Sequence, residues 1–231
     1  MKSTINILHI ETATKVCSCS LSSNGEVVFN KESHVEQSHA KLLGVFTEEA
    51  IQHARQHNLK VRAISVSSGP GSYTGLRIGV SEAKGLAYGL DAKLIAIPTL
   101  KLLASIANSE VDNDFLLCPM IDARRMEVYT SVFDNALNII EPTTAKIIDE
   151  DSFLNLLEEH KVAFFGDGAF KCKDIITHPN AIFLPNIHPL ASGMASLSLA
   201  AYKAGEFEDV AYFEPFYLKD FVATKPKNKV F

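Results

Sequence analysis

The chain has 231 residues, 47% of them hydrophobic and 21% charged, and a net charge of −5. That length suits one or two domains, and the composition is that of an ordinary globular protein able to bury a core. No apolar run is long enough to span a bilayer, and the acidic balance argues against a stand-alone tight nucleic-acid binder, which carries a basic surface. Residues 1–6 lack the long apolar region and small-residue cleavage site of a signal peptide. Cys17, Cys19, Cys118 and Cys172 form no CxxC pair, so reduced thiols and a cytoplasmic location are expected.

Residues 5–32 read as three strands, 5–10, 16–21 and 26–31, with the Asn24-Gly25 hairpin signal before the third. A helix over 38–57 carries the apolar stripe Leu42, Leu43, Phe46, Ala50 and Ala54. The β-branched run 63–67 is a strand that feeds Gly69-Pro70-Gly71-Ser72-Tyr73-Thr74-Gly75. Thr74 is expected to cap a helix reaching about residue 88. Along it Gly75, Gly79, Ala83 and Ala87 recur at four-residue steps on one face. Glycine costs about 1 kcal/mol inside a helix, so something packs close to that stripe: a partner, or the chain's own sheet. Residues 94–97 make a further strand, ended by Pro98. The first hundred residues thus read βββαβαβ, a mixed sheet with helices on it.

The second half reads as a looser copy. A helix over 100–107, a polar loop at 108–114, strands over 115–121, 126–133 and 143–148, a helix over 152–159, a strand over 162–165 and a helix over 189–204 follow in order. The expected lobes are 1–98 and 99–211, followed by a tail over 212–231 that ends in the basic run Lys225-Pro226-Lys227-Asn228-Lys229, expected to be frayed or solvated, with partner or RNA contact as the second reading.

Several places invite chemistry. The glycine turn is neither a Walker A loop, having no Lys-Ser/Thr after its last glycine, nor a dinucleotide fingerprint, since Thr74 stands at the third glycine position. Its backbone N–H groups, with Gly69, Gly71 and Ser72, still suit an anion at a helix start; a tight turn feeding a close-packed helix fits equally. Glu11 and Thr12, at the end of the first strand, fit a metal–phosphate complex or an ordinary turn. His53 and His57 share a helix face, but zinc needs further ligands and a helix C-terminus also favours histidine. His34 and His39 are spaced poorly for a helical pair, and a surface position is expected for His39. Asp122-Ala123-Arg124-Arg125 could grip phosphate or pair internally. Gly166-Asp167-Gly168-Ala169 is expected to open a helix with anion-binding geometry. No Ser–His–Asp or Cys–His set can be ordered.

Taken together, residues 7–12, 69–77, 122–129 and 166–169, with Pro215-Phe216-Tyr217-Leu218 near the C-terminus, resemble the bacterial TsaB (YeaZ) family of tRNA threonylcarbamoyladenosine biosynthesis proteins, long labelled glycoprotease homologues. The resemblance covers nearly the whole chain in order. It implies an α/β, actin-like or Hsp70-like ATPase (ASKHA) fold with two related lobes and mixed sheets. It also implies a role in the modification that places a threonylcarbamoyl group on the adenosine beside the tRNA anticodon. The catalyst implied is a TsaD-like paralogue, with a TsaE-like ATPase associated. The paralogue binds metal through His-x-x-x-His, and the positions laid on those ligands here are Thr99 and Leu103. Leucine has no lone pair for a metal, and one threonine cannot replace two imidazoles.

A non-catalytic partner subunit is therefore expected, meeting tRNA only through the complex and forming a homodimer when alone. No cofactor is required and no metal is expected. Weak ATP or ADP binding at Glu11, Thr12, Gly69, Gly71 and Ser72 is allowed, with Glu11 standing where the family often has Asp. The expected partner interface comprises Leu42, Phe46, Gly75, Gly79, Ala83 and Ala87. A stand-alone nucleotide-dependent phosphotransferase or ATPase is the rival, and a metallopeptidase ranks third.

Overall fold

The computed structural model of the chain describes residues 4–35 and 38–219. The basic run at 225–229 lies outside them. Among the described residues, ten strands form two five-stranded sheets. The first holds β1 (Asn6–Glu11), β2 (Cys17–Ser23), β3 (Glu26–Ser33), β4 (Val61–Gly69) and β5 (Lys93–Pro98) in the order β3-β2-β1-β4-β5. The second holds β6 (Phe115–Asp122), β7 (Glu127–Phe133), β8 (Ile139–Ile147), β9 (Lys161–Phe165) and β10 (Ala181–Phe183) in the order β10-β9-β6-β7-β8. Read from its first strand, each sheet is built alike: a three-stranded antiparallel meander on one side and parallel strands on the other. The parallel strands need crossovers. These are α1 (His39–Gln56) and α2 (Tyr73–Gly89) in the first half and the short α4 (Leu154–Leu157) in the second. No helix among the described residues is long and apolar enough to cross a membrane.

Local chemistry explains the elements. Asn24 and Gly25 both adopt positive φ, 51° and 91°, which lets a two-residue turn join β2 to β3. Strand β1 is buried on both faces. Strand β2 alternates: Cys17, Cys19 and Leu21 enter the first core with Leu8, Ile10 and Val66. Its Ser18, Ser20 and Ser22 are buried on the other face, where Ala191 N–H donates to the Ser18 hydroxyl. The second core gathers Phe153, Phe164, Val128 and Val132. Helix α3 (Thr99–Ala107) joins the two sheets, packing Leu100, Leu103 and Ala104 with Leu117, Phe133 and Phe165.

The structure corrects several expectations. Ser72, not Thr74, caps α2: its hydroxyl oxygen accepts from Gly75 N–H at 3.2 Å. Strand β8 starts at Ile139 rather than 143, α4 is one turn rather than eight residues, and β10 was not foreseen. Three residues are too few to carry a period. The helix expected over 189–204 opens as a 3-10 turn, Ala191–Met194, before α5 (Ala195–Ala204). That region, assigned to the second lobe, crosses back: Met194 and Ala201 pack with Ile7, Ala63 and Ile95 of the first sheet. The tail is not free up to residue 219. Val210 and Phe213 pack on the first core, and Phe216 N–H donates to Ser68 O at 2.7 Å.

Candidate functional site

The residues expected to meet phosphate lie together at the C-terminal ends of β1 and β4, where ligands bind in open α/β sheets. Strand β1 ends at Glu11 and β4 at Gly69, so their following turns, 11–14 and 69–72, stand side by side under the first turn of α2. They are fastened to each other. Ser72 N–H donates to Ala13 O at 2.7 Å, and the Thr12 hydroxyl donates to Gly75 O at 2.8 Å. The glycines record how close the chains run. A Cβ on Gly71 would sit 2.4 Å from Ala13 O, and one on Gly75 2.1 Å from Thr12 O. Two donors that could serve an anion, the Ser72 N–H and the Thr12 hydroxyl, are spent inside the protein.

Glu11 is fully buried. One carboxylate oxygen accepts from Ala13 N–H at 2.5 Å and the other from the Ser67 hydroxyl. Burial pushes its carboxyl up to about 7, against the lowering effect of those hydrogen bonds. The carboxyl is thus buried and held by its own loop and by β4, with one hydrogen bond to each oxygen. Sequence reasoning missed its neighbour on β1. His9 is fully buried, with Nδ1 2.6 Å from the Ser65 hydroxyl and Nε2 2.8 Å from that of Ser22, and burial holds its imidazolium form down to about 3. A lone polar residue in Ile-Leu-His-Ile was the available signal.

The second lobe repeats the arrangement. Asp122 N–H donates to Asp167 Oδ1 at 3.0 Å. Gly166 and Gly168 let the 166–169 turn approach Met120 and Ile121 so closely that a Cβ on Gly166 would lie 2.3 Å from Met120 O. The turn leads into a single 3-10 turn, Phe170–Cys172, instead of the expected anion-binding helix. Lys171, not singled out in the sequence, fills the turn after β6. Its ammonium donates to Arg125 O and Glu127 O, both at 2.7 Å, and pairs with Asp122. Arg124 and Arg125 both hold positive φ, 69° and 49°, and their side chains are exposed.

The four small residues named for the partner interface are corrected. Gly75, Gly79, Ala83 and Ala87 are all buried. Ala83 and Ala87 pack in the first core with Leu8, Ile10 and Leu43. A Cβ on Gly79 would lie 2.2 Å from Thr12 Oγ1. The stripe exists because α2 lies flat on the chain's own sheet. Leu42 and Phe46 on α1 are half-buried, and Phe46 leans on the same core. The outer face is different: a Cβ on Gly44, Gly85 or Gly89 would meet nothing within 4 Å. Val45 and Tyr88 are exposed beside them. A groove between α1 and α2 is lined by Gly44, Ile51, Glu82 and Leu86.

The histidines have structural places. His39 is buried, not superficial: its Nε2 donates to Thr14 O at 2.9 Å and ties the start of α1 to the turn after β1. His53 and His57 stack at 4.1 Å, with His57 Nδ1 2.9 Å from His53 O. His34 lies edge-on to His188 at 5.6 Å. Among the described residues no group of three His, Cys, Asp or Glu side chains is placed to hold a metal ion. Thr99 and Leu103 are fully buried. All four cysteines are free and buried, and burial raises every one of their thiols.

Comparison with known proteins fits this geometry. The family model described as TsaD, tRNA N6-adenosine threonylcarbamoyltransferase, matches residues 31–227. The chain is 28% identical to the tRNA threonylcarbamoyladenosine biosynthesis protein TsaB of Escherichia coli K12 over 234 residues, covering 96% of this chain and 97% of that protein. It is 26% identical to the protein of the same name from Haemophilus influenzae, covering 96% of each. A Pseudomonas aeruginosa crystal structure described as similar to peptidase YEAZ superposes with a TM-score of 0.79 at 24% identity, over 94% of this chain and all of the other. The fold is thus the α/β fold of that structure, with two mixed five-stranded sheets. The chain belongs to the TsaD family, and the relatives it matches over nearly their whole length are TsaB proteins.

Proposed function

We propose that the chain is a non-catalytic subunit in the threonylcarbamoyladenosine modification of tRNA, acting by assembling with and activating a TsaD-like catalytic paralogue, with a TsaE-like ATPase associated. The observation that carries the subunit reading is the pair Thr99 and Leu103. Both are packed at 0% exposure beside Leu100 and Ala104, at positions where the catalytic relatives are expected to hold metal. The full-length match to TsaB proteins supports the pathway. The fastened turns at 11–14 and 69–72 favour this reading over a stand-alone phosphotransferase. No cofactor is needed on this account, and ATP or ADP binds weakly if at all. Titration calorimetry with Mg-ATP is expected to give no submicromolar affinity and no steady turnover. Either of those would favour the phosphotransferase.

The partner surface on this reading is the outer face of α1 and α2. Exposed glycines at 44, 85 and 89 cost about 1 kcal/mol each in an isolated helix and let a partner's helices come near. Exposed Tyr88 and Val45 supply anchors. The same face serves a homodimer when the partner is missing, and tRNA is met only through the complex, in the cytoplasm. Affinity capture from the native cell tests this. Wild type is expected to bring down the TsaD-like protein. Gly85→Trp is expected to melt as wild type does and to lose that partner. Retention of the partner by Gly85→Trp would place the interface elsewhere.

A further inference from the structure

The segment after α5 makes a run of contacts that neither the fold nor the subunit reading requires. It leaves the helix at Gly205, which is left-handed at φ 76°, and returns to the edge of the first sheet, where Glu208 N–H donates to Leu94 O at 2.9 Å. Asp209 then closes a tight turn, its carboxylate accepting from Ala211 N–H at 2.7 Å and Tyr212 N–H at 3.1 Å. Lys84 of α2 donates to Ala211 O and Phe213 O at 3.0 and 3.1 Å. The chain next crosses the mouth of the site. Phe216 N–H donates to Ser68 O, and a Cβ on Gly69 would lie 2.5 Å from Phe216 O, so only glycine admits this crossing. Tyr217 packs on Tyr73 with ring centroids 4.7 Å apart. Finally Lys219 reaches the other lobe and pairs with Glu127 of β7.

We propose that residues 208–219 are a built-in clasp that holds the two lobes closed over the turn at 69–72. The anchoring is unequal, and that makes the clasp releasable. Five kinds of contact bind it to the first lobe: a bridge to β5, two core side chains, the Lys84 bonds, the Ser68 bond and the tyrosine pair. Among the described residues, one ion pair binds it to the second. The Lys219 side chain is 46% exposed and that of Glu127 20%. An accessible pair of this kind shifts a population by about fivefold at most, so the second-lobe end is the end that lets go. The inference concerns closure within this chain and stands apart from the subunit reading.

Lobe separation is the readout. Because all four native cysteines are buried, spin labels can be placed on Glu26→Cys in β3 and Glu158→Cys beside α4, both at exposed positions on opposite lobes and away from α1 and α2, with an excess of unlabelled chain to keep the distances within one molecule. The full chain is expected to show one narrow distance distribution in pulsed electron spin spectroscopy. Removing residues 220–231 alone should leave it narrow. Lys219→Glu, which sets two carboxylates against each other, should broaden it and speed amide exchange at Phe216 roughly threefold or more. Lys219→Glu with Glu127→Lys should restore both. Removing residues 215–231 should broaden the distribution most. The clasp is overturned if Lys219→Glu leaves distances and exchange unchanged, if the charge swap fails to restore them, or if loss of 220–231 alone opens the lobes. Should the longer truncation fail to fold, the charge reversal and its swap still decide.

Discussion

Glu11 and His9 lie two residues apart on one strand, both fully buried and shifted in opposite senses. The carboxyl of Glu11 rises to about 7 from its ordinary 4.5, so the folded state holds its proton where the unfolded chain has lost it. Its contribution is fully present below pH 4.5 and is lost as pH rises towards 7. His9 falls to about 3 from 6.5, so the unfolded chain takes the proton first. Its contribution is full above pH 6.5 and is lost as pH falls towards 3. Between pH 4.5 and 6.5 the two slopes oppose each other. Denaturant titrations of wild type are therefore expected to show a shallow plateau there. Glu11→Gln should remove the decline above it, worth about 1 kcal/mol between pH 6.5 and 8, and turn the plateau into a rise, since His9 no longer has an opposing slope there. His9→Gln should flatten the fall below pH 4.5. Unchanged pH profiles in both variants would mean that these groups are not buried as described.

Helix α2 carries two kinds of small residue, and they predict opposite responses. Gly75, Gly79, Ala83 and Ala87 lie on the sheet, while Gly85 and Gly89 face open space. Ala83→Trp should overpack the first core, at a cost of about 1–3 kcal/mol or more, and lower the melting temperature by roughly 2–4 °C for each kcal/mol in a chain of this size. Gly85→Ala removes backbone freedom without meeting any atom, so it should stabilise by about 0.5–1 kcal/mol. Thermal melts of the two variants beside wild type check both. An Ala83→Trp protein that melts as wild type does would put the stripe on the surface after all. On α1, Thr47 helps hold the pair of helices in register, its hydroxyl donating to Glu82 at 2.8 Å.

At the scale of the molecule, the two-lobed architecture was largely legible in the sequence. Alternation on β2, the Asn24-Gly25 turn and the stripe on α1 gave the first sheet, and the same order of elements repeated gave the second. What the sequence hid was what faces what. Four-residue spacing shows that Gly75 to Ala87 share a side, yet the same spacing serves a sheet or a partner. Only the 2.1 Å approach towards Thr12 O decides between them. Glu11 and the glycine turn stand out in the sequence, but the hydrogen bonds that tie their turns together depend on two distant segments meeting. The clasp was invisible because residues 208–219 have no period, and their contacts are made mainly by backbone groups and by side chains remote in sequence. The central claim is that a chain without catalytic groups of its own is required for the modification. Reconstitution with this chain, the TsaD-like and TsaE-like proteins of the same cell and unmodified tRNA, leaving out one component at a time, tests it most directly, with the modified nucleoside measured by mass spectrometry. The account predicts robust modification from the full set, none from this chain alone and a collapse when it is left out. Modification by the chain alone, or undiminished modification without it, would contradict the account.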